Sequence, residues 1–220
     1  MNYVFLGLLA VFFAVHLYHS WTDERKKRAV TKPFLLPLII LYYVFSVETI
    51  NWVLIVALVT SWIGDVLLIP KGIKWFASGG ISFLVSHIAF ICVYFPNVVF
   101  SSVKYYIVAP VALVYICVIV WLFKTLLPHN NNKPLFGAMA FYILANATMN
   151  VFALMQLLSN PCAGTVVAYI GAVLFFASDT SLFLVDFHPN RNFIFKRHFT
   201  VMLTYVLGEL LITQGILMIS

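Results

Sequence analysis

Charge is what this sequence lacks. Only 9% of its 220 residues are charged and 63% are hydrophobic, whereas an ordinary soluble domain is about 25% charged. Such a chain cannot cover a globule with polar surface. A soluble fold is therefore excluded, and the bilayer is read as the main solvent. Cysteine is scarce as well. Cys92, Cys117 and Cys162 lie far apart, which excludes a disulfide framework or a zinc knuckle and leaves small apolar filler as their role. There is no long polar linker and no low-complexity tract, so residues 1–220 read as a single transmembrane helical domain. The apolar runs are continuous and lack the alternation of strands, which excludes a membrane β-barrel.

What is present is a series of apolar runs near 2–21, 33–47, 50–69, 75–95, 105–127, 134–158, 164–187 and 199–219. A spanning helix needs about 20 mostly apolar residues. The expected fold is an all-α polytopic bundle of eight transmembrane helices, the second being short. Proline and glycine in "IPKG" at 69–72, "FPN" at 95–97 and "SNPCAG" at 159–164 mark connections. Twelve of the 13 lysines and arginines fall at the odd-numbered connections, and only Lys104 lies on the other side. The positive-inside rule then places those connections in the cytoplasm and both termini outside. The basic charge is thereby a topology signal and an attraction to anionic lipid, not a nucleic-acid footprint. The first run has its positive charges after it, and reads as an uncleaved first span.

Three acids interrupt the apolar runs: Asp65, Asp179 and Glu209. No lysine or arginine lies deep in a run to pair with them. An ionisable group at depth is expected to face the bundle interior or a wet cavity and to mark a functional path. Helical rise puts Asp65 about 7 Å, Asp179 about 12 Å, Glu209 about 15 Å and His87 about 18 Å from the cytoplasmic end of their runs. His16 and Asn146 fall in the same half or near mid-membrane. One slab, from mid-membrane to the cytoplasmic face, is expected to hold all six. Taken singly, each polar residue has a plainer role. Asn146 and Asn150 suit interhelical hydrogen bonds, and Ser61, Ser86 and Ser178 suit bonds to their own backbone. "TSWIGDVLLI" and "FFASDTSLFL" echo one another, each placing an aspartate ahead of a basic connection. A parallel repeat would bring the two acids face to face.

"TKPFLLPLI" at 31–39, "ALVTSWIGDVLLI" at 57–69, "FASGGISFLVSHIAFICVYF" at 76–95, "GAVLFFASDTSLFLVDF" at 171–187 and "TYVLGELL" at 204–211 resemble, in order and spacing, the YhhN-like membrane proteins, which include the lysoplasmalogenases. One departure is in the last motif, where the family usually has glutamine and this chain has Glu209. The resemblance implies an eight-span hydrolase of the vinyl-ether bond of lysoplasmalogen, releasing a fatty aldehyde and glycerophosphoethanolamine or glycerophosphocholine, with no cofactor. The residues fit that chemistry in their own right. Acid cleavage of a vinyl ether needs one carboxyl that carries a proton and one anion to steady an oxocarbenium ion and position water, the two-carboxylate logic of glycosidases.

On this reading Asp65 and Asp179 form the catalytic pair and His87 orients a carboxylate or relays a proton. Lys32, at the cytoplasmic mouth, meets the lipid phosphate. Ser61, Ser178 and Tyr205 hydrogen-bond the acids or water, and Asn146 and Glu209 complete the polar lining. The expected partners are a lysophospholipid substrate and membrane lipids, with no nucleic acid. The expected location is the cytoplasmic membrane of a bacterium or the endoplasmic reticulum of a eukaryote. Two other readings stand beside it. One is a proton-coupled lipid or solute transporter, which moves substrate without breaking a bond. The other is a metal-dependent lipid hydrolase, for which His16 and His87 supply too few ligands inside the spans.

Overall fold

Helix ends in this chain fall where the sequence carries turn residues. Asn51 accepts hydrogen bonds from the backbone N–H of Val53 and Leu54, and Asn132 accepts one from Leu135, so each caps the helix it precedes. The computed structural model describes residues 2–219. They form α1 (Asn2–Trp21), α2 (Arg25–Thr31), α3 (Leu35–Val44), α4 (Trp52–Leu67), α5 (Ile73–Tyr94), α6 (Tyr105–Leu126), α7 (Lys133–Ser159), α8 (Ala163–Phe187) and α9 (His198–Leu217). No strand occurs among the described residues.

Six of these helices, α1 and α5 to α9, are long and apolar enough to cross a bilayer. The chain is accordingly a polytopic helical membrane protein. The expected count of eight exceeds this by the second and third runs. There α3 has 10 residues and α4 has 16, about 15 and 24 Å of helix against a hydrocarbon core of about 30 Å. The shortness of α3 has a local cause. Pro33 has no N–H to give, and the chain passes from α2 to α3 through a 3₁₀ turn at Lys32–Phe34. The carbonyl of Pro33 accepts a hydrogen bond from Trp62 Nε1 at 2.9 Å, which ties this break to α4.

The interior belongs to α7, α8 and α9, while α1 and α6 are mostly turned outward. The closest helix pair is α8 with α9, followed by α4 with α5. In the first pair, small residues let backbone lie on backbone. A methyl group on Gly171 would lie 2.6 Å from the amide nitrogen of Ile212 and 2.7 Å from the carbonyl of Gly208. In the second pair, a methyl on Gly64 would lie 2.6 Å from the ring of Phe83. These approaches set the spacing of the helices that carry Asp65, Asp179 and Glu209.

Gly171→Ala should destabilise the protein by about 1–3 kcal/mol, because the obstructing atoms are backbone and cannot rotate away. Gly137→Ala, where no atom lies within 4 Å of the added methyl, should be neutral or stabilising by up to about 1 kcal/mol. Thermal unfolding in detergent, read by tryptophan fluorescence, separates the two variants. Equal midpoints would rule out the close seam.

Candidate active site

The best-organised polar group is Asp179 on α8. Its Oδ2 accepts hydrogen bonds from Tyr142 Oη and Asn146 Nδ2, both at 2.6 Å, and lies 3.2 Å from His87 Nε2. A buried carboxyl needs such partners, since leaving it without them costs several kcal/mol. Tyr142 and Asn146 are four residues apart on α7 and share one face. Asn150, four further on, donates from Nδ2 to Asn146 Oδ1 at 2.9 Å and accepts from Tyr115 Oη at 3.1 Å. This chain of donors runs inward from α6 and turns the Asn146 amide so that its NH₂ meets the acid. The His87 ring is held edge-on between Tyr142 and Phe175. No described hydrogen bond uses Asp179 Oδ1, and Asp179 lines the cavity described below.

Asp65 on α4 has a different environment. Its Oδ1 is 3.0 Å from Lys32 Nζ. This overturns the expectation that no fixed cation reaches the acids. The 3₁₀ turn at Lys32–Phe34 lets a lysine that looks peripheral in the sequence reach a buried carboxylate. Asp65 Oδ2 has no hydrogen-bond partner among the described residues. The Tyr205 hydroxyl from α9 lies beside Asp65 without the geometry of a hydrogen bond.

The remaining candidates divide by depth. Glu209 is fully buried, and both its carboxyl oxygens are unpartnered among the described residues, as is the Tyr94 hydroxyl. Ser61 lies beside Glu209 and shares a 2.7 Å hydrogen bond with Ser86. Ser178 donates to the carbonyl of Val201 at 3.0 Å, so its hydroxyl ties α8 to α9 and touches neither aspartate. His16 Nδ1 is 2.7 Å from the Thr31 hydroxyl. Tyr142, Arg28 and Arg197 were not anticipated. Tyr142 had a signal, its i, i+4 register with Asn146. The arginines had none, because they come from connections distant in the chain.

Asp65 and Asp179 are 1% and 4% exposed, and both line one cavity of about 820 Å³. Its rim carries Arg25, Arg28, Lys32, Lys71, Arg191 and Arg197. A second, apolar cleft of about 170 Å³ opens between α5, α7 and α8, with Gly80, Leu84, Met139 and Phe183 on its walls. Leu68, Phe76, Phe83 and Leu182 line both spaces. The result is a chamber lined by cations and by two buried acids, with an apolar cleft on the other side of four shared wall residues. Among the described residues, no three His, Cys, Asp or Glu side chains are grouped closely enough to hold a metal ion.

A model of the YhhN family matches residues 27–216. The chain belongs to the YhhN family. No curated protein and no solved structure matches it. The YhhN motifs now have physical roles in this fold. In T-K-P, Thr31 meets His16, Lys32 pairs with Asp65, and Pro33 breaks the helix and accepts from Trp62. In S-x-x-G-D, Ser61 bonds Ser86 across the α4–α5 seam and Gly64 makes room for Phe83. Four residues beyond Phe83, His87 reaches Asp179.

Glu209 is the one buried acid with neither a cation nor a described donor on its carboxyl oxygens. Replacing it by the isosteric neutral amide should therefore stabilise the fold. Glu209→Gln keeps the shape and removes the ionisable group, whose burial without a cation is the costly feature, and is expected to gain about 1–3 kcal/mol, seen as a higher thermal midpoint at neutral pH. A lower midpoint would show that the carboxylate has a partner the amide cannot replace.

Proposed function

We propose that this YhhN-family protein is a membrane hydrolase that cleaves the vinyl-ether bond of a lysoplasmalogen, with Asp65 and Asp179 as its acid–base pair. The observation that carries the reading is the placing of two unlike carboxyls on one chamber. Asp179 is clamped through one oxygen by Tyr142, Asn146 and His87. Asp65 has one oxygen on Lys32 and one oxygen with no described hydrogen bond. The family resemblance supplies the substrate class, and a polar chamber with an apolar cleft sharing four of its wall residues suits a lipid with one chain.

In the proposed reaction Asp65 delivers a proton to the alkene carbon remote from the ether oxygen, and the adjacent carbon becomes an oxocarbenium ion. Asp179, held as an acceptor, steadies that cation and takes a proton from the attacking water. The hemiacetal then collapses, its hydroxyl proton leaves, and the glycerol oxygen is protonated and departs. The sum is R–CH=CH–O–R′ plus water giving R–CH₂–CHO and HO–R′. His87 positions Asp179 and can pass its proton onward. Release of Lys32 from Asp65 as the phosphate-bearing substrate enters would leave that carboxyl ready to take up the next proton. We also infer eight membrane-crossing segments, with α3 and α4 as short ones, and both termini away from the cytoplasm. Support comes from the side bias of the cations, and from the chamber lining, whose lysines and arginines all come from α2 and the turn after it and from the connections after α4 and α8.

The deciding experiment supplies purified protein with an alkenyl-glycerophosphoethanolamine in D₂O. Aldehyde should appear with one deuterium on the carbon next to the carbonyl. Asp65→Asn and Asp179→Asn should each lower the rate about 100-fold or more, the usual scale of a lost general acid or base. Aldehyde without deuterium would exclude protonation at carbon, and full activity in either variant would remove that aspartate from the mechanism.

A further inference from the structure

At the mouth of the chamber, on the wall formed by α2 and the start of α9, several nitrogen donors converge with little to receive them. Arg28 pairs through Nη2 with Asp23 Oδ1 at 3.2 Å, while its Nη1 is buried and unpartnered among the described residues. Arg197 Nε is likewise buried and unpartnered. Both arginines line the cavity. Burial lowers the Arg28 pKa from its ordinary value, with Arg197 and Arg25 pushing the same way and Asp23 opposing. The guanidinium still stays charged at neutral pH. Two like charges have thus been brought together in a partly buried place, each with a donor facing no acceptor. A buried donor of this kind costs about 1–3 kcal/mol if nothing meets it.

The backbone at this wall points the same way. Arg197 has φ +43, Lys196 has φ +48, and Asp23 has φ +55, a region that residues with side chains rarely adopt. Strained backbone tends to persist where a site depends on it. Arg197 is also the residue before α9, a 20-residue helix that begins without any side-chain cap. The positive end of its dipole therefore adds to the two guanidiniums. Lys32, expected to meet a phosphate, is occupied by Asp65 and is not available for that task at rest.

We infer that Arg28 and Arg197, with the uncapped start of α9, form a seat for a phosphate group, and that this seat holds the phosphodiester of the lipid substrate at the chamber mouth. Planar guanidiniums suit phosphate oxygens, which accept several charge-assisted hydrogen bonds at once. The seat deepens the proposed lipid hydrolysis and rests on that reading for the choice of a lipid phosphate over a free one. It shares one cavity with Asp65 and Asp179, so a lipid held there by its phosphate would have its first chain atoms within that cavity.

The test measures binding, not turnover. The full-length protein in detergent micelles is titrated with a saturated 1-O-alkyl-glycerophosphoethanolamine, which has no vinyl bond to cleave. Parallel titrations use the matching alkylglycerol without phosphate, and inorganic phosphate. The phosphate-bearing ether should bind at least about tenfold more tightly than the alkylglycerol, as one charge-assisted contact of about 1.5–3 kcal/mol requires. Arg28→Gln and Arg197→Gln should each remove most of that preference and leave alkylglycerol binding unchanged. Arg→Lys at the same positions should restore part of it, and Lys74→Gln, away from the cavity wall, should keep it. If the glutamine variants do not fold, the wild-type protein decides: raising ionic strength from about 0.05 M to about 0.5 M should shrink the preference. A preference that survives in both glutamine variants, or one that is indifferent to salt, overturns the seat. Inorganic phosphate binding as tightly as the lipid overturns the lipid assignment. Preference without aldehyde release would retain the seat and reject the hydrolase, whereas aldehyde release without preference would do the reverse.

Discussion

A carboxyl group inside a bilayer protein must be met by donors, and on a membrane-crossing helix those donors have to come from other helices. Much of this structure follows from that requirement. Asp179 on α8 is met by His87 from α5 and by Tyr142 and Asn146 from α7. Asp65 on α4 is met by Lys32 from the break before α3 and flanked by Tyr205 from α9. The partners are exchanged crosswise between the two closest helix pairs. The second helix of the α4–α5 pair serves the acid of α8, and the second helix of the α8–α9 pair attends the acid of α4. Neither pair could hold its own acid alone, so polar satisfaction and helix assembly are coupled.

Glycine makes the exchange possible. Tyr205 and Glu209 reach the middle of the bundle because α9 lies against α8 with backbone contact at Gly171 and Gly208. Phe83 sits under α4 because Gly64 has no side chain. Its ring packs edge-to-face on Phe175 and Tyr205, which in turn frame the polar centre. Dense aromatic packing on one side and an open, charged chamber on the other give the two acids unlike surroundings. Paired carboxyls with unlike surroundings are what a single fold needs to run acid and base steps together.

The shape of the chamber adds a direction. The lining cations are more exposed than Asp65 and Asp179, and an apolar cleft between α5, α7 and α8 adjoins the chamber across four shared wall residues. A molecule with a charged head and one apolar tail matches this order along its length. Glu209, deeper than the chamber wall, stands apart. It is buried without described donors on its carboxyl oxygens at the position where the family resemblance leads one to expect an amide.

The sequence by itself determined the fold class, because apolar runs this long and without alternation leave the helical bundle, and the family, because the motif residues recur in a fixed order. It also picked out the acids, since an ionisable residue in an apolar run stands out against its neighbours. Six spans were legible as full-length helices. α3 and α4 were legible as helices but are shorter than the apolar runs that hold them, because hydropathy registers neither the turn at Pro33 nor the other residues that leave the helix at the ends of a run. Tertiary structure alone decided which groups meet. Lys32 pairs with Asp65 because a 3₁₀ turn redirects it, Tyr142 completes the Asp179 cluster from a helix face that many tyrosines could share, and Arg28 and Arg197, distant in the chain, line one cavity. Pattern along the chain reports each residue's preference for lipid or water, whereas the distance between two side chains depends on how whole helices pack.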